Sequence, residues 1–239
     1  MDKESPLDRW VEYEKCIRQE IDIKLAQKSE LSDVAEVLFD TDPYIYPAAF
    51  GNKTTARKLF PLMVNSTGVF QDNGLFVAKI NGKIVGAVSS FADANNDAEI
   101  YIRSSKGVKN TPMTFADVCK NYFGKLSGYS DEDTVYISCI SIKEKFRGMR
   151  ICEQLLKYVL SISAGKKVYL HVLVDNTRAI ALYKKYGFTI VSEEDGYSLT
   201  DQKPRCYLMM CDTAEQYLNE YATKILEEAI EPCKINKKI

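Results

Sequence analysis

The chain has 239 residues, 46% of them hydrophobic, with 32 basic and 33 acidic side chains for a formal charge of −1. That is enough chain for one domain with a sizeable core plus appendages, and so even a charge argues against a nucleic-acid partner. Seven scattered cysteines, no Cys-x-x-Cys pair and a single histidine argue against a disulfide framework or a metal site, and for reduced thiols in a cytoplasm.

Met1–Ser5 lacks the apolar stretch of a secretory signal, and no run approaches the roughly 18 apolar residues of a membrane span. Residues 6–20 place Leu7, Trp10, Val11, Glu14 and Ile17 near one face at helical spacing. This predicts an N-terminal helical extension over 1–20, packed on the body or used as a dimer contact. Ile21–Ala26 alternates like a first strand and opens the main domain, 21–211. Ser29 and Ser32-Asp33 start a helix whose apolar face is Val34, Val37 and Leu38; it must stop near Asp42-Pro43, because a residue before proline disfavours the α region.

Asp42–Pro47 reads as an aromatic turn. Tyr44 and Tyr46 offer apolar area with a hydrogen-bonding tip, as a packed surface turn or as a substrate-pocket wall. Lys53–Asn65 looks helical, and Leu75–Ile80 and Ile84–Phe91 form a hairpin on Asn81-Gly82. The Ala92–Ser130 stretch is weakly patterned. Asp93, Asn95, Asn96, Asp97 and Glu99 make an acidic-polar loop, either solvated or placed to attract a cationic amine. Ile100–Arg103 reads as a short strand, and Thr114–Leu126 as a helix turning Phe115, Val118 and Tyr122 inward. A connection this long often carries specificity.

Val135–Ile142 is a largely β-branched and apolar run, as in a strand buried on both faces. A basic turn, Lys143–Arg150, leads into a helix, Ile151–Ile162, with Leu155, Leu156, Val159 and Ile162 on one side and Gly165 at its end. Val168–Val174 is another strand. Thr177–Tyr186 is a short helix closed by Gly187, and Phe188–Ser192 with Arg205–Cys211 makes a hairpin with a long polar tip. Ala214–Ile230 is amphipathic and Pro232 stops it, a C-terminal helical extension over 212–239. Strands with interspersed helices and an antiparallel end predict an α/β (α+β) fold: a mixed sheet with helices on both faces.

The basic turn carries its own chemistry. A loop entering a helix exposes unpaired N–H groups, and the helix dipole adds partial positive charge. Lys143, Lys145, Arg147 and Arg150 surround it, so it is either a phosphate site or a basic surface turn. Two runs then stand out: Arg147-Gly148-Met149-Arg150-Ile151-Cys152, and Asn176-x-x-Ala179-x-x-Leu182-Tyr183-x-x-x-Gly187-Phe188. Together they resemble the acyl-CoA-binding core of the GNAT acetyltransferase superfamily, over about residues 21–211 and with specificity across 135–210.

That resemblance implies the acyl-CoA N-acyltransferase fold, mostly antiparallel with two splayed central parallel strands. It implies acetyl-CoA as cofactor, no metal, and direct acetyl transfer to a primary amine, either a small cationic amine or a peptide N-terminus. Ile140, Ser141 and Ile142 and the loop Arg147, Gly148, Met149, Arg150, Ile151 and Cys152 would cradle the cofactor. Family proteins usually read Arg/Gln-x-x-Gly-x-Gly/Ala in that loop, so Arg150 and Cys152 stand where glycine, or glycine or alanine, is usual. Asn176 would bond the pantetheine arm or the following helix, and Ala179 would let that helix approach. Tyr183 would protonate the leaving thiolate, since a phenol of pKa about 10 is protonated at neutral pH.

The base varies across the family. In the ribosomal-protein alanine acetyltransferases a glutamate lies twelve residues before the tyrosine. Here that position is His171, within Leu170-His171-Val172. A neutral strand histidine is the alternative, and Glu99, Glu132 and Asp133 are weaker candidates for the base. Tyr44, Tyr46 and Glu99 are the candidate acceptor contacts, and Cys139 reads as a buried thiol rather than an acyl carrier. Two other functions stay open: a non-catalytic acyl-CoA-binding sensor or regulatory module, and a partner-binding scaffold using the terminal helices. No membrane partner is expected, and the state is monomer or homodimer.

Overall fold

A computed structural model describes residues 21–64, 68–92, 98–129, 131–163, 165–198 and 203–212. Both terminal helical extensions and the acidic positions 93–97 lie outside the described residues. Seven strands form one sheet: β1 (Asp22–Leu25), β2 (Leu75–Ile80), β3 (Lys83–Phe91), β4 (Thr134–Ile142), β5 (Lys167–Leu173), β6 (Thr189–Asp195) and β7 (Arg205–Cys211), in the order β1-β2-β3-β4-β5-β7-β6. Every neighbouring pair is antiparallel except β4 with β5, which is parallel. No helix among the described residues is long and apolar enough to cross a membrane.

Helices cover both faces. On one side are α1 (Leu31–Leu38), α2 (Ile45–Phe50), α3 (Lys53–Met63) and α4 (Ala98–Ser104). With them is a broken segment, α5 (Phe115–Val118), a π turn (Cys119–Phe123) and α6 (Gly124–Leu126). Leu38, Leu59, Phe60, Phe70, Phe115 and Phe123 bury this layer against Phe91 and Tyr136 of the sheet. On the other face lie α7 (Ile151–Ile162) and α8 (Thr177–Lys185), where Leu155, Leu156 and Val159 pack on Val88, Val168 and Met209. Fully burying each such aliphatic side chain is worth about 1.5–3 kcal/mol, so both layers contribute heavily to holding the sheet.

The β2–β3 turn has φ of 50° at Asn81 and 74° at Gly82, the two positive angles of a type I′ hairpin. Three expectations need correction. Ile100–Arg103 is not a strand but lies in α4, because Tyr101 is buried against Phe70 and Phe123, and tertiary packing overrides the β preference of Ile-Tyr-Ile. Asp42–Pro47 is only half a turn. Asp42 Oδ1 accepts the backbone N–H groups of Tyr44 and Ile45 at 2.7 and 2.8 Å and starts α2, whose first turn tolerates Pro47. Ile162 faces solvent, and Leu160 takes the inward position instead.

What positions the site is where the sheet stops pairing. β4 and β5 pair only from Thr134–Ile137 to Lys167–Leu170. β4 runs on to Ile142 and β5 to Leu173 with no ladder between them, while β3 stays paired to β4 through Gly86 and Ile142. A bulge between Ser89 and Ser90 skips Ser138, whose Oγ donates to the Ser89 carbonyl at 3.2 Å. Beyond Ile137 and Leu170 the two strands therefore bound a wedge.

Candidate active site

One side of the wedge leads to the basic loop. After a short 3-10 turn at Glu144–Phe146, Arg147 is extended and its Nε donates to the Ile142 carbonyl at 3.3 Å. Gly148 turns the chain with φ 88°, and Arg150 enters α7 in the left-handed region at φ 56°. The first N–H groups of α7 have no partner within the helix, as geometry requires. The loop is seated by a small residue across the sheet. A Cβ on Gly86 would lie 2.6 Å from Ile142 Cδ1, 3.2 Å from the Ser141 carbonyl oxygen and 3.3 Å from Ile151 Cγ2, so a larger residue there would have to push the Ile142 side chain aside where the end of β4 and the start of α7 rest on β3. Arg147 and Arg150 are both exposed, and the Arg150 side chain forms no hydrogen bond or ion pair with the described residues.

The other side opens into a cavity of about 420 Å³. Ile137–Ile140 and Leu170–Leu173 supply its wedge walls, and Asn176 and Tyr183 come from α8. Tyr46, Tyr122, Tyr129 and Tyr197 line it with aromatic rings, and Asp42, Asp117, Glu194 and Asp195 with carboxylates, facing Lys125 and Lys203. Just past β6 the chain is tied to α5 by the Tyr197 hydroxyl, which donates to Asp117, and both residues line the cavity. Asn121, Tyr122, Lys125 and Leu126 reach the cavity from the π turn and α6, a backbone irregularity frequent at functional sites.

Tyr183 is half-buried, its ring 5.7 Å from Phe188. Burial, and secondarily Cys152 and Cys139, raise its pKa well above the ordinary phenol value, so it holds its proton at neutral pH. Asn176 Oδ1 accepts the Ala179 N–H at 3.2 Å, so this side chain caps α8. Cys152 and Cys139 are poor nucleophiles here. Burial pushes the Cys152 thiol up to about 11 and raises that of Cys139 as well, so neither is a thiolate at neutral pH.

His171, on β5 just past the last residue paired with β4, has a side chain that is 17% exposed. Its Nδ1 lies 2.6 Å from the Tyr136 hydroxyl and its Nε2 3.3 Å from Glu194 Oε2, and the Tyr129 ring meets it edge-on at 4.9 Å. Burial lowers its pKa below 6.5, and Glu194 opposes that shift. Glu194 accepts from Ser192 Oγ at 2.6 Å and from the Tyr129 hydroxyl at 2.9 Å. The Ser192 bond leads in holding its carboxyl below the usual range, with Tyr129 and His171 adding to it.

Of the residues expected from sequence, Tyr183, His171, Asn176, Ile140 and Tyr46 line one cavity. Ser141 and Ile142 are buried at the end of β4, and Ala179 is half-buried on α8. Tyr44 is 46% exposed and outside the lining. Glu99 is exposed and ion-paired with Lys120 at 3.4 Å, and Glu132 and Asp133 lie on the exposed approach to β4. Sequence reasoning passed over Tyr136, Tyr129, Glu194 and Asp42. The bulge at Ser138 breaks the alternation along β4, so Tyr136 shares its face of the sheet with Cys139.

A family model described as the Acetyltransferase (GNAT) family matches residues 40–188. Histone acetyltransferase MCC1 of Arabidopsis thaliana is 31% identical over 80 residues, 32% of this chain and 32% of that protein, so the match spans about a third of the relative's length. Among solved structures, an N-acetyltransferase from Staphylococcus aureus Mu50 superposes with a TM-score of 0.55 at 18% identity, covering 79% of this chain and 99% of that one. The ribosomal-protein-S18-alanine N-acetyltransferase from Escherichia coli superposes with 0.50 at 13% identity, covering 80% and 93%. At such identities the two structures speak for the fold.

Proposed function

The chain belongs to the GNAT acetyltransferase family, and from that premise we propose that it is an acetyl-CoA-dependent N-acetyltransferase acting on a primary amine, of a small cationic molecule or a peptide N-terminus. One observation carries the reading: the unpaired ends of β4 and β5 lead from a basic helix-entry loop into a cavity holding both Tyr183 and His171. The residues fit the cofactor. The wedge leaves backbone groups of Ser138–Ile142 without a β5 partner, and Gly148 and the start of α7 present N–H groups beside Arg147 and Arg150. When bound, acetyl-CoA supplies an activated thioester acyl group.

Arg147–Cys152 would hold the pyrophosphate, and Ile140–Ile142 the pantetheine arm. Asn176 acts through the helix it caps, setting the start of α8 and hence the place of Tyr183. Tyr183 Oη, protonated at neutral pH, would supply a proton to the departing thiolate. His171, neutral at physiological pH because burial lowers its pKa, is the group that takes up the amine proton. The acidic lining formed by Asp42, Asp117, Glu194 and Asp195 favours a cationic acceptor. Free thiols at all five cysteines of the described residues are in keeping with a cytoplasmic site of action.

A second reading, a non-catalytic acyl-CoA-binding module, is favoured by one observation: both ring nitrogens of His171 are already engaged by protein partners. Calorimetric titration with acetyl-CoA, followed by a consumption screen over amines and peptides, separates the two. The catalytic reading expects saturable binding and amine-dependent release of CoA. Binding without turnover on any acceptor selects the module, and absence of saturable binding removes both.

A further inference from the structure

β6 contains two adjacent glutamates, and a bulge chooses between them. Thr189 and Ile190 pair with Met210 and Met209, but the next pair is Ser192 with Leu208, so Val191 is skipped. Because side chains alternate, a one-residue slip exchanges the faces of a strand. The skip sets Ser192 and Glu194 on the face of Leu208 and Cys206, and His171 pairs with Leu208 from the other side of β7. Without it, Glu193 would take that face. Instead Glu193 bonds Arg205 at 2.9 Å, and Glu194 reaches past the small Cys206 to His171.

We propose that Glu194 is the positioning residue of the site: its carboxylate fixes His171 as the Nε2–H tautomer, which leaves Nδ1, facing Tyr136, as the only proton-accepting atom of the ring. The inference deepens the reading of His171 as base and rests on it. The Glu194 carboxylate is ionised and accepts at both oxygens, Oε1 from Ser192 and Oε2 from Tyr129. An ionised carboxylate is acceptor-only, so the contact with Nε2 is attractive only if Nε2 carries the hydrogen. A neutral imidazole has one N–H, so Nδ1 holds the lone pair and the Tyr136 hydroxyl donates to it at 2.6 Å. The opposite tautomer would aim a lone pair at a carboxylate across 3.3 Å.

A proton reaches Nδ1 through the Tyr136 hydroxyl, which hands its own hydrogen to Nδ1 and takes the amine's in exchange; Nε2–H stays bonded to Glu194, and Tyr136 then accepts from Nδ1–H. The titratable groups facing His171 are Glu194 from β6, Tyr136 from β4 and Tyr129 from the turn before it, with Cys206 of β7 beside Glu194 and Tyr136. Burial leads in raising both tyrosines, Tyr129 to about 12, and in pushing Cys206 up to about 11. Glu194 is therefore the one member of this set charged near neutrality, and the imidazolium is stabilised mainly by it.

His171 is the sole histidine of the chain, so a histidine-selective 15N label reports one imidazole in the full-length protein. The wild type is expected to show the Nε2–H tautomer near neutral pH, and E194Q to lower the imidazole midpoint by roughly one pH unit. E193Q, on the other face, should leave both unchanged. An Nδ1–H tautomer in the wild type, or an unmoved midpoint in E194Q, overturns the proposal. The tautomer is read on the wild-type chain, so a variant that fails to fold leaves the test standing. The low-pH limb of kcat/KM should move with the imidazole midpoint. A limb that stays put while the NMR midpoint moves removes His171 as base and leaves the positioning role intact.

Discussion

The two ends of the wedge are made of different material. The end at the basic loop, the proposed cofactor end, is mostly backbone: a glycine at φ 88°, a residue at φ 56°, the first amides of α7 and an unpaired strand edge, all within Ser138–Cys152. The cavity end, the proposed acceptor end, is side chain: Tyr129, Tyr136, His171, Tyr183 and Glu194 converge from five separate elements. Backbone binding tolerates substitution because almost any residue carries the same N–H. A side-chain constellation has no such redundancy. Changes at the acceptor end should therefore hit the chemical step, and changes at the cofactor end should register as modest shifts in affinity or stability.

The largest effect is expected at Tyr183. Tyr183→Phe removes one oxygen and keeps the ring against Phe188, so it should lower kcat by about 10²-fold or more while leaving acetyl-CoA binding nearly intact. Steady-state kinetics beside calorimetric binding checks both numbers. Equal losses in kcat and affinity would mean that Tyr183 belongs to the cofactor cradle instead. His171 comes next. Its neutral form is the active one, so activity should rise with pH through its folded pKa, and burial places that midpoint below 6.5. His171→Ala should cut kcat by roughly 10–10²-fold and abolish this limb. A pH–rate profile that keeps the limb assigns it to another group.

The same contrast explains what could be read from the chain. The Asn176–Phe188 run and the Arg147–Cys152 loop are contiguous, so a basic turn entering a helix and a tyrosine one turn before a glycine can be read directly along the chain. The acceptor wall has no such run. Tyr136 and His171 meet because parallel register sets Tyr136 opposite Tyr169, and register between distant strands leaves no mark in either strand. Glu194 depends on one skipped residue, Val191, in a strand that reads from sequence as ending at Ser192. The cavity lining is acidic through Asp42, Asp117, Glu194 and Asp195 rather than through the 93–99 loop, and Glu99 lies outside it. Ile100–Arg103 misled because a short β-branched run has no way of announcing that Tyr101 will be buried between two phenylalanine rings.

Asn176 tests the boundary between the two ends, since it lines the cavity yet, among the described residues, its oxygen bonds only the backbone of α8. Asn176→Ala should cost about 1 kcal/mol through loss of the cap, a fall in Tm of about 2–4 °C. If Asn176 acts only through the helix, Asn176→Asp, which keeps an acceptor for the Ala179 N–H, should restore both Tm and kcat. Restored Tm with depressed kcat would give its amide a direct contact with cofactor or substrate.

The smallest effect is expected at Arg150, and it asks most directly whether the cofactor end works through backbone alone. A non-glycine residue at φ 56° carries a left-handed conformation that costs about 1 kcal/mol, and glycine removes that cost while adding back some unfolded-state entropy. Arg150→Gly should therefore change stability by less than about 1 kcal/mol, in the stabilising direction. The guanidinium is exposed and unpaired with the described residues, free to meet phosphate, so the same variant should raise KM for acetyl-CoA several-fold with kcat unchanged. Arg150→Ala separates the two contributions, because it loses the charge and keeps the left-handed strain. If it raises KM as Arg150→Gly does, the side chain grips phosphate and the backbone account is incomplete. If neither variant moves KM, the amides of the loop and the start of α7 hold the pyrophosphate unaided, and the contrast between the two ends of the wedge is as sharp as the geometry draws it.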